Sequence, residues 1–119
     1  MKTLLVIGVC LFLASGAAAQ EVASAPGAVL RWLDKVSGVT TEVDVATGQT
    51  VPMGRLQVTL GDCRYPVDDP SSNAFAHLAI TDTATGGAAF DGWMIASSPA
   101  LSALDDPRYD VWLVRCSIS

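Results

Sequence analysis

Apolar and polar residues alternate along much of the chain, and this alternation predicts short β-strands. Two runs, 28–36 and 39–45, are rich in β-branched and apolar residues and are separated by a Ser-Gly pair. A two-residue spacer of this kind is typical of a tight β-hairpin turn. Valines alternate with acidic residues in the second run, so we expect one buried face and one solvated face there.

Residues 55–63 predict a further strand that has an irregularity near its end. Leucine and valine fill one face of this run, yet Cys63 is one residue out of phase with them. A β-bulge at Gly61 would return Cys63 to the apolar face. A shorter strand is expected around Thr50 and Val51, where glycine and proline residues interrupt the pattern on either side.

A second hairpin is predicted from the runs 75–83 and 88–95, which flank a Thr-Gly-Gly turn. In the first of these runs we expect Leu78 and Ile80 to point inward. Because successive side chains of a strand point to opposite faces, His77 is then expected on the outer face.

A short helical turn is predicted after the second hairpin. Ser98 is a suitable N-cap, and Pro99 suits the first helical position because its missing N–H would be unpaired there in any case. Pro107 disfavours a helical conformation in the residue before it, which limits the helix to one or two turns. We expect Leu101 and Leu104 to hold this turn against the sheet.

The final run, 109–118, is apolar on both of its faces. Tyr109 and Val111 share one parity, whereas Trp112 and Val114 share the other. Such a strand is central in a sandwich, is covered on its outer side by the helical turn, or presents an interaction surface.

These elements together predict an all-β fold, a small antiparallel β-sandwich or barrel. It has six to seven strands at hairpin spacing, one short helical turn and one disulfide. We expect a single β domain at residues 28–119. The small and polar residues 20–27 are expected to form a flexible leader in front of it.

Residues 1–19 have the composition of an export signal peptide. Lys2 supplies the positive start, the run 4–14 is apolar, and three alanines at 17–19 suit a cleavage site. The apolar run is shorter than the roughly 20 residues that span a bilayer. We therefore expect cleavage before Gln20, a periplasmic or secreted location, and no membrane span after cleavage.

Removal of the signal leaves two cysteines, Cys63 and Cys116. Exported proteins fold in an oxidising compartment, so one disulfide between these cysteines is expected. The chain has one histidine and lacks a second cysteine pair, so we expect no metal site and no cofactor.

The formal net charge of the chain is −5 at pH 7. Nucleic acids and anionic membranes are bound by clusters of lysine and arginine, and this acidic chain is unsuited to both. A basic partner is compatible with the charge.

Few residues of the chain could carry chemistry. His77 is the single histidine, and two acidic pairs stand at Asp68-Asp69 and Asp105-Asp106. Paired carboxylates could act in glycoside hydrolysis or bind calcium, although adjacent acids next to proline are more simply solvated turn residues. No serine is flanked by glycines as in a nucleophile elbow, and we expect no catalytic residues.

Aromatic, proline and acidic residues are dense in the last third of the chain, and this density predicts an interaction surface there. The expected members are Trp93, Pro99, Leu101, Asp105, Asp106 and Tyr109.

Several stretches of the chain resemble a known bacterial family. The stretches Gly54–Leu56 and Cys63–Pro66, the block 92–101, and the block 106–112 with Cys116 are similar to the small exported domain-of-unknown-function family 2155. The resemblance covers nearly the whole predicted domain. It implies a periplasmic or envelope setting, and it brings no catalytic residues with it.

The leading hypothesis is a non-enzymatic exported domain that binds another cell-envelope component, a protein or a cell-wall component. One alternative is a cell-wall hydrolase that uses His77 or the acidic pairs. Another is a secreted inhibitor of a basic enzyme such as lysozyme, which the net charge, small size and disulfide would suit.

Overall fold

The computed structural model describes residues 21–118 and confirms the all-β prediction. The predicted signal peptide and Gln20 lie outside the described residues. Eight strands form two antiparallel sheets, and the elements in chain order are β1 (Val22–Ser24), β2 (Gly27–Asp34), β3 (Thr40–Ala46), β4 (Thr50–Met53), β5 (Leu56–Pro66), β6 (Phe75–Asp82), β7 (Ala88–Ile95), a 3-10 turn (Pro99–Leu101) and β8 (Tyr109–Ser117).

The first sheet has the strand order β1-β5-β6-β7. Strand β4 pairs with the same edge of β5 as β1 does, but with the first half of β5, whereas β1 pairs with its end. The second sheet has the order β3-β2-β8. Both predicted hairpins, β2-β3 and β6-β7, are present with antiparallel registers. No helix in residues 21–118 has the length and apolar character needed to cross a membrane.

The additional strand is β1, which lies in the segment that we expected to be a flexible leader. Ala23 pairs with Tyr65 at the end of β5, and the amide of Ala25 donates to the carbonyl of Cys63 at 2.7 Å. Backbone hydrogen bonds hold this segment, and its small side chains carry no alternating pattern that would have predicted a strand.

The inward side chains of the two sheets form one core. The largest fully buried ones come from five of the strands: Leu30, Val45, Met53, Leu56, Val58, Leu60, Leu78 and Ile80, together with Met94 of β7. The inward direction predicted for β6 is confirmed, because Leu78 and Ile80 are buried and His77 lies on the outer face.

The disulfide between Cys63 and Cys116 joins the two sheets, with its Cα atoms 5.7 Å apart. The predicted bulge at Gly61 is confirmed, since the β5-β6 register shifts between Leu60 and Asp62. A second bulge, at Val114 of β8, turns Cys116 to the same core. Each cysteine therefore reaches its partner through an extra residue in its own strand.

The helical turn is shorter than expected and packs differently. Pro99–Leu101 forms a 3-10 turn after Ser98, but the Ser98 side chain makes no capping hydrogen bond. The packing predicted for Leu101 is wrong, because this side chain is 78% exposed. Leu104 is buried as expected, but it follows the turn instead of belonging to it.

Strand β8 lies at an edge of the second sheet, so it is not central. Tyr109, Val111 and Leu113 point into the core. Trp112 faces outward and is half-buried, with the guanidinium of Arg31 5.9 Å from its ring centre. One apolar face of this strand is therefore buried in the core, and the other lies on the surface, where Arg31 covers part of Trp112.

Candidate functional site

The structure separates the six residues that were expected to form one interaction surface. Asp106 and Tyr109 are 6% and 5% exposed. The prediction that these two residues lie on the interaction surface is therefore wrong, because both side chains are in the interior. Trp93 is 39% exposed on the outer face of the first sheet, and Leu101 is exposed on the 3-10 turn. Pro99 and Asp105 are exposed in the segment between β7 and β8.

Asp106 is the centre of a closed cluster, a name we use for Asp34, Arg55, Asp106, Arg108 and Tyr109. One carboxylate oxygen of Asp106 accepts a short hydrogen bond from Arg55 Nη2. The other accepts from the backbone amides of Arg108 at 2.9 Å and Tyr109 at 2.8 Å. Burial alone would raise the pKa of Asp106, but the two amides and Arg55 outweigh it and hold this pKa below its usual value.

The ring of Tyr109 is enclosed within the same cluster. The guanidinium carbons of Arg55 and Arg108 lie 5.2 Å and 5.3 Å from the centre of this ring. Trp32 contacts it at a centroid distance of 5.6 Å. Gly54 approaches so closely that a Cβ atom there would lie 2.3 Å from the Tyr109 ring. A glycine is therefore required beside this tyrosine.

The remaining charges of the closed cluster are also paired. Arg108 donates to both oxygens of Asp34, at 3.3 Å and 3.1 Å. The hydrogen bond from Arg108 is the main reason that the pKa of Asp34 falls to about 2, and the amides of Val36 and Ser37 add to the effect. Arg55 makes a second ion pair with Asp82 at 3.2 Å. With its carboxylates engaged in this way, the cluster is a structural junction between the two sheets.

The outer face of the first sheet carries an open patch, which we define as Val22, Arg64, Phe75, Trp93 and Ile95. These five side chains line a shallow cavity of about 340 Å³. The registers bring them together, because Phe75 of β6 lies between Arg64 of β5 and Ile95 of β7. Val22 is 48% exposed, so both it and Trp93 present apolar surface to solvent.

Arg64 lies over the ring of Trp93 within the open patch. Its guanidinium carbon is 4.8 Å from the centre of the Trp93 ring. Its Nε donates to Asp62 at 2.8 Å, and the Arg64 side chain is 49% exposed. Within residues 21–118 the guanidinium makes no other hydrogen bond or ion pair, so its Nη groups remain available.

His77 stands beside the open patch on β6. Its Nε2 is 3.2 Å from Asp91, and its ring meets the Trp93 ring edge-on at 5.4 Å. No serine or threonine hydroxyl of the described chain is hydrogen-bonded to it. The arrangement provides a histidine-carboxylate pair without an adjacent nucleophile.

The acidic pairs do not form a two-carboxylate site. Asp68 and Asp69 are exposed in a loop, where Asp69 accepts hydrogen bonds from two serines. Asp105 is exposed, whereas Asp106 is occupied by Arg55 and two amides. Residues 21–118 contain no group of three potential ligands among His, Cys, Asp and Glu that could hold a metal ion.

Sequence reasoning missed Arg64, Phe75 and Ile95 as neighbours of Trp93. The alternation that puts His77 on the outer face of β6 also puts Phe75 there, and it puts Trp93 and Ile95 on one face of β7. The adjacency of β6 and β7 follows from their hairpin. The position of Arg64 depends on the bulge at Gly61, which changes the parity of β5 before Cys63.

Comparisons with known proteins identify a family but no function. "Uncharacterized protein RP359" of Rickettsia prowazekii (strain Madrid E) is 24% identical over 87 residues, which are 71% of this chain and 56% of that protein. The chain thus spans about half the length of this curated relative. No solved structure matches. Residues 28–116 match the family described as "Uncharacterized protein conserved in bacteria (DUF2155)", and the chain belongs to this family.

Proposed function

We propose that this protein is a non-enzymatic, exported β-sandwich domain that binds another protein of the bacterial cell envelope through the open patch. The observation that carries the proposal is the exposure of Trp93 beside Val22, Phe75 and Ile95, around a single cavity. Tryptophan and arginine are the residues most enriched among those that dominate binding energy at protein interfaces. The open patch contains both.

The position of the patch also favours binding. A cavity on the outer face of a sheet is reached by a partner without any rearrangement of the core. In the sheet beneath it, β6 is paired along most of its length with β5 on one side and β7 on the other. Side chains on paired strands are held in place before binding, which lowers the entropy lost when a partner docks.

Export is supported by the amino-terminal sequence. A lysine, an apolar run and three alanines precede the described residues, in the order found in signal peptides. The disulfide between Cys63 and Cys116 is of the kind that forms in an oxidising compartment. Recovery of the protein from the periplasm, with a mature amino terminus at Gln20 by intact mass, would test this part of the proposal.

The binding proposal is tested by cross-linking in the native envelope. We expect the protein to capture a defined partner, and we expect Trp93→Ala to lose it while the protein stays folded. Leu101→Ala serves as a matched variant, because it also removes an exposed apolar side chain but lies on the 3-10 turn. If capture survives Trp93→Ala and fails with Leu101→Ala, the binding surface is the turn and the proposal for the open patch is wrong.

A hydrolase acting on the cell wall is a second candidate, favoured by the His77-Asp91 pair alone. A cell-wall digestion assay decides it, since His77→Ala would abolish such activity. Asp106 is already bound by Arg55 and two backbone amides, which argues against a catalytic pair of Asp105 and Asp106. The inhibitor hypothesis is supported by net charge and not by a particular site, and a lysozyme assay with the purified protein tests it.

A further inference from the structure

We propose that the open patch recognises a protein segment in which an apolar side chain stands next to a carboxylate. The inference rests on the proposed function and specifies the chemistry of the partner. The apolar side chain would occupy the cavity between Val22, Phe75, Trp93 and Ile95, and the carboxylate would bind the guanidinium of Arg64.

Arg64 differs from Arg31, Arg55 and Arg108 in how its donors are used. Arg31, Arg55 and Arg108 each direct an Nη group to a carboxylate of the same chain, namely Glu42, Asp106 and Asp34. Arg64 directs Nε to Asp62, and its two Nη groups contact no other carboxylate within residues 21–118. A planar guanidinium with free Nη donors is suited to a carboxylate from outside.

The guanidinium of Arg64 is also held in position before any ligand arrives. Asp62 binds it from one side at 2.8 Å, and the Trp93 ring supports it at 4.8 Å. A side chain fixed by two contacts loses less rotamer entropy on binding than a free surface arginine does. Asp62 accepts only from Nε, so both Nη groups can still donate to a carboxylate from outside.

The cavity beside Arg64 sets the second half of the ligand. Four of its five lining side chains are apolar, and Arg64 is the fifth. A volume of about 340 Å³ is at the lower end of the range for ligand pockets and suits a few side chains of a peptide. Burial of apolar surface there supplies binding energy, while the adjacent carboxylate fixes the orientation.

A protein segment fits these features better than an anionic membrane surface does. Membrane surfaces are bound by clusters of lysine and arginine, whereas the patch has one arginine in a chain of net charge −5. The long-range repulsion from such a chain would oppose an extended anionic surface. A single carboxylate that meets one oriented guanidinium avoids most of this cost.

Peptide titration monitored by NMR of the tryptophan indole N–H groups tests the inference. The probes are three capped hexapeptides, one with two leucines followed by aspartate, one with asparagine in place of the aspartate, and one with two serines before the aspartate. Hydrogen bonds to charged groups contribute about 1.5–3 kcal/mol, so we expect the aspartate to improve affinity by roughly 10- to 100-fold over asparagine. The serine peptide is expected not to bind.

Arg64→Gln is expected to remove the preference for aspartate over asparagine. Arg115→Gln is the matched control, because Arg115 is exposed, makes no ion pair within residues 21–118 and carries the same charge. It should leave the preference unchanged. The inference would be overturned if the Arg64→Gln protein kept the full preference for the aspartate peptide over the asparagine peptide. It would also be overturned if Arg64→Gln and Arg115→Gln reduced this preference equally.

Two outcomes separate this inference from the proposed function. If the envelope partner is lost with Trp93→Ala but retained with Arg64→Gln, the patch binds a partner without the carboxylate and only the inference fails. If Trp93→Ala has no effect on capture, the proposed function itself fails. Binding to phosphatidylglycerol vesicles with no response to any peptide would identify a lipid surface and also overturn the inference.

Discussion

The arginine-aromatic contacts of the closed cluster and of the open patch are similar in distance but differ in almost everything else. In the closed cluster, Tyr109 lies between Arg55 and Arg108 at 5.2 Å and 5.3 Å and is 5% exposed. In the open patch, Trp93 lies beside Arg64 at 4.8 Å and is 39% exposed. The contact is similar in geometry, so the contact itself does not distinguish a structural site from a binding site.

The difference lies in what the arginines have left to bind. Arg55 binds Asp82 and Asp106, and Arg108 binds Asp34, so the cluster is neutralised from within. Arg64 donates to Asp62 through Nε, and its two Nη groups make no hydrogen bond within residues 21–118. A polar group that is already satisfied inside the fold contributes to stability, whereas an oriented donor on an exposed surface can contribute to recognition.

The largest expected effect comes from Asp106→Ala in the closed cluster. The change leaves the amides of Arg108 and Tyr109 without their acceptor and removes one of the two carboxylates that pair with Arg55. Breaking a buried pair in this way is expected to lower the free energy of unfolding by about 3 kcal/mol. Urea unfolding followed by tryptophan fluorescence measures the loss.

Asp105→Ala provides the control for that loss. Asp105 is the adjacent acid but is exposed, and substitutions at such surface sites usually change stability by less than about 0.5 kcal/mol. Similar losses from the two variants would mean that the hydrogen bonds of Asp106 are not what stabilises the junction between the sheets.

Gly54→Ala should cost about as much as Asp106→Ala. Gly54 has φ +60°, and a Cβ atom there would lie 2.3 Å from the Tyr109 ring. Backbone strain of about 1–2 kcal/mol and overpacking of about 1–3 kcal/mol then act together. Gly86→Ala has a similar φ of +70° with nothing within 4 Å, so it isolates the strain. Equal unfolding free energies for the two variants would contradict the close packing of Tyr109.

A smaller effect is expected from acid, and it should act through the closed cluster. Because the pKa of Asp34 is lowered from 3.8 to about 2, the stability that its ionised form contributes is complete above about pH 4. This stability is lost as the pH falls from 4 towards 2. The lowered pKa of Asp106 gives a loss in the same direction.

Thermal unfolding between pH 5 and pH 2 measures that loss. Asp34→Asn should be less stable than the unaltered protein at pH 5, and the difference between the two should narrow as the pH falls. The exposed Arg108-Asp34 pair should also weaken in high salt. A constant difference across this pH range would contradict the pairing of Asp34 with Arg108.

Much of the fold could be predicted from the sequence, and the two bulges show where prediction stopped. Cys63 is out of phase with the apolar residues of β5, and Gly61 between them indicated a bulge. Cys116 is out of phase with Tyr109, Val111 and Leu113 in the same sense, but Val114 gives no comparable local signal. The inward direction of Cys116 follows from its disulfide, which is a long-range constraint.

The candidate site was harder to predict, because the expected members of the interaction surface were chosen for their closeness along the chain. Trp93, Asp106 and Tyr109 are close in sequence and share an aromatic or acidic character, yet only Trp93 is exposed. Both faces of β8 are apolar, so alternation could not show that Tyr109 points inward. Arg64 is distant in sequence from Trp93 and meets it through two strand pairings, β5-β6 and β6-β7.

The smallest effects on stability are expected in the open patch. Arg64→Gln should lower the free energy of unfolding by no more than about 1 kcal/mol, because the arginine is 49% exposed and an exposed cation–π contact contributes only about 0.5–1 kcal/mol. Trp93→Ala should cost about 1 kcal/mol more, since part of its ring is buried. Urea unfolding of these two variants, carried out together with that of Asp106→Ala, measures the three free energies of unfolding.

If Arg64→Gln proved as destabilising as Asp106→Ala, Arg64 would serve the fold and would not be available to a partner. A small loss of stability together with a large loss of binding is therefore the combination that the open patch requires. The closed cluster requires the reverse, because its donors and acceptors are occupied within the chain. Measuring stability and binding on the same two variants distinguishes the two kinds of arginine-aromatic contact.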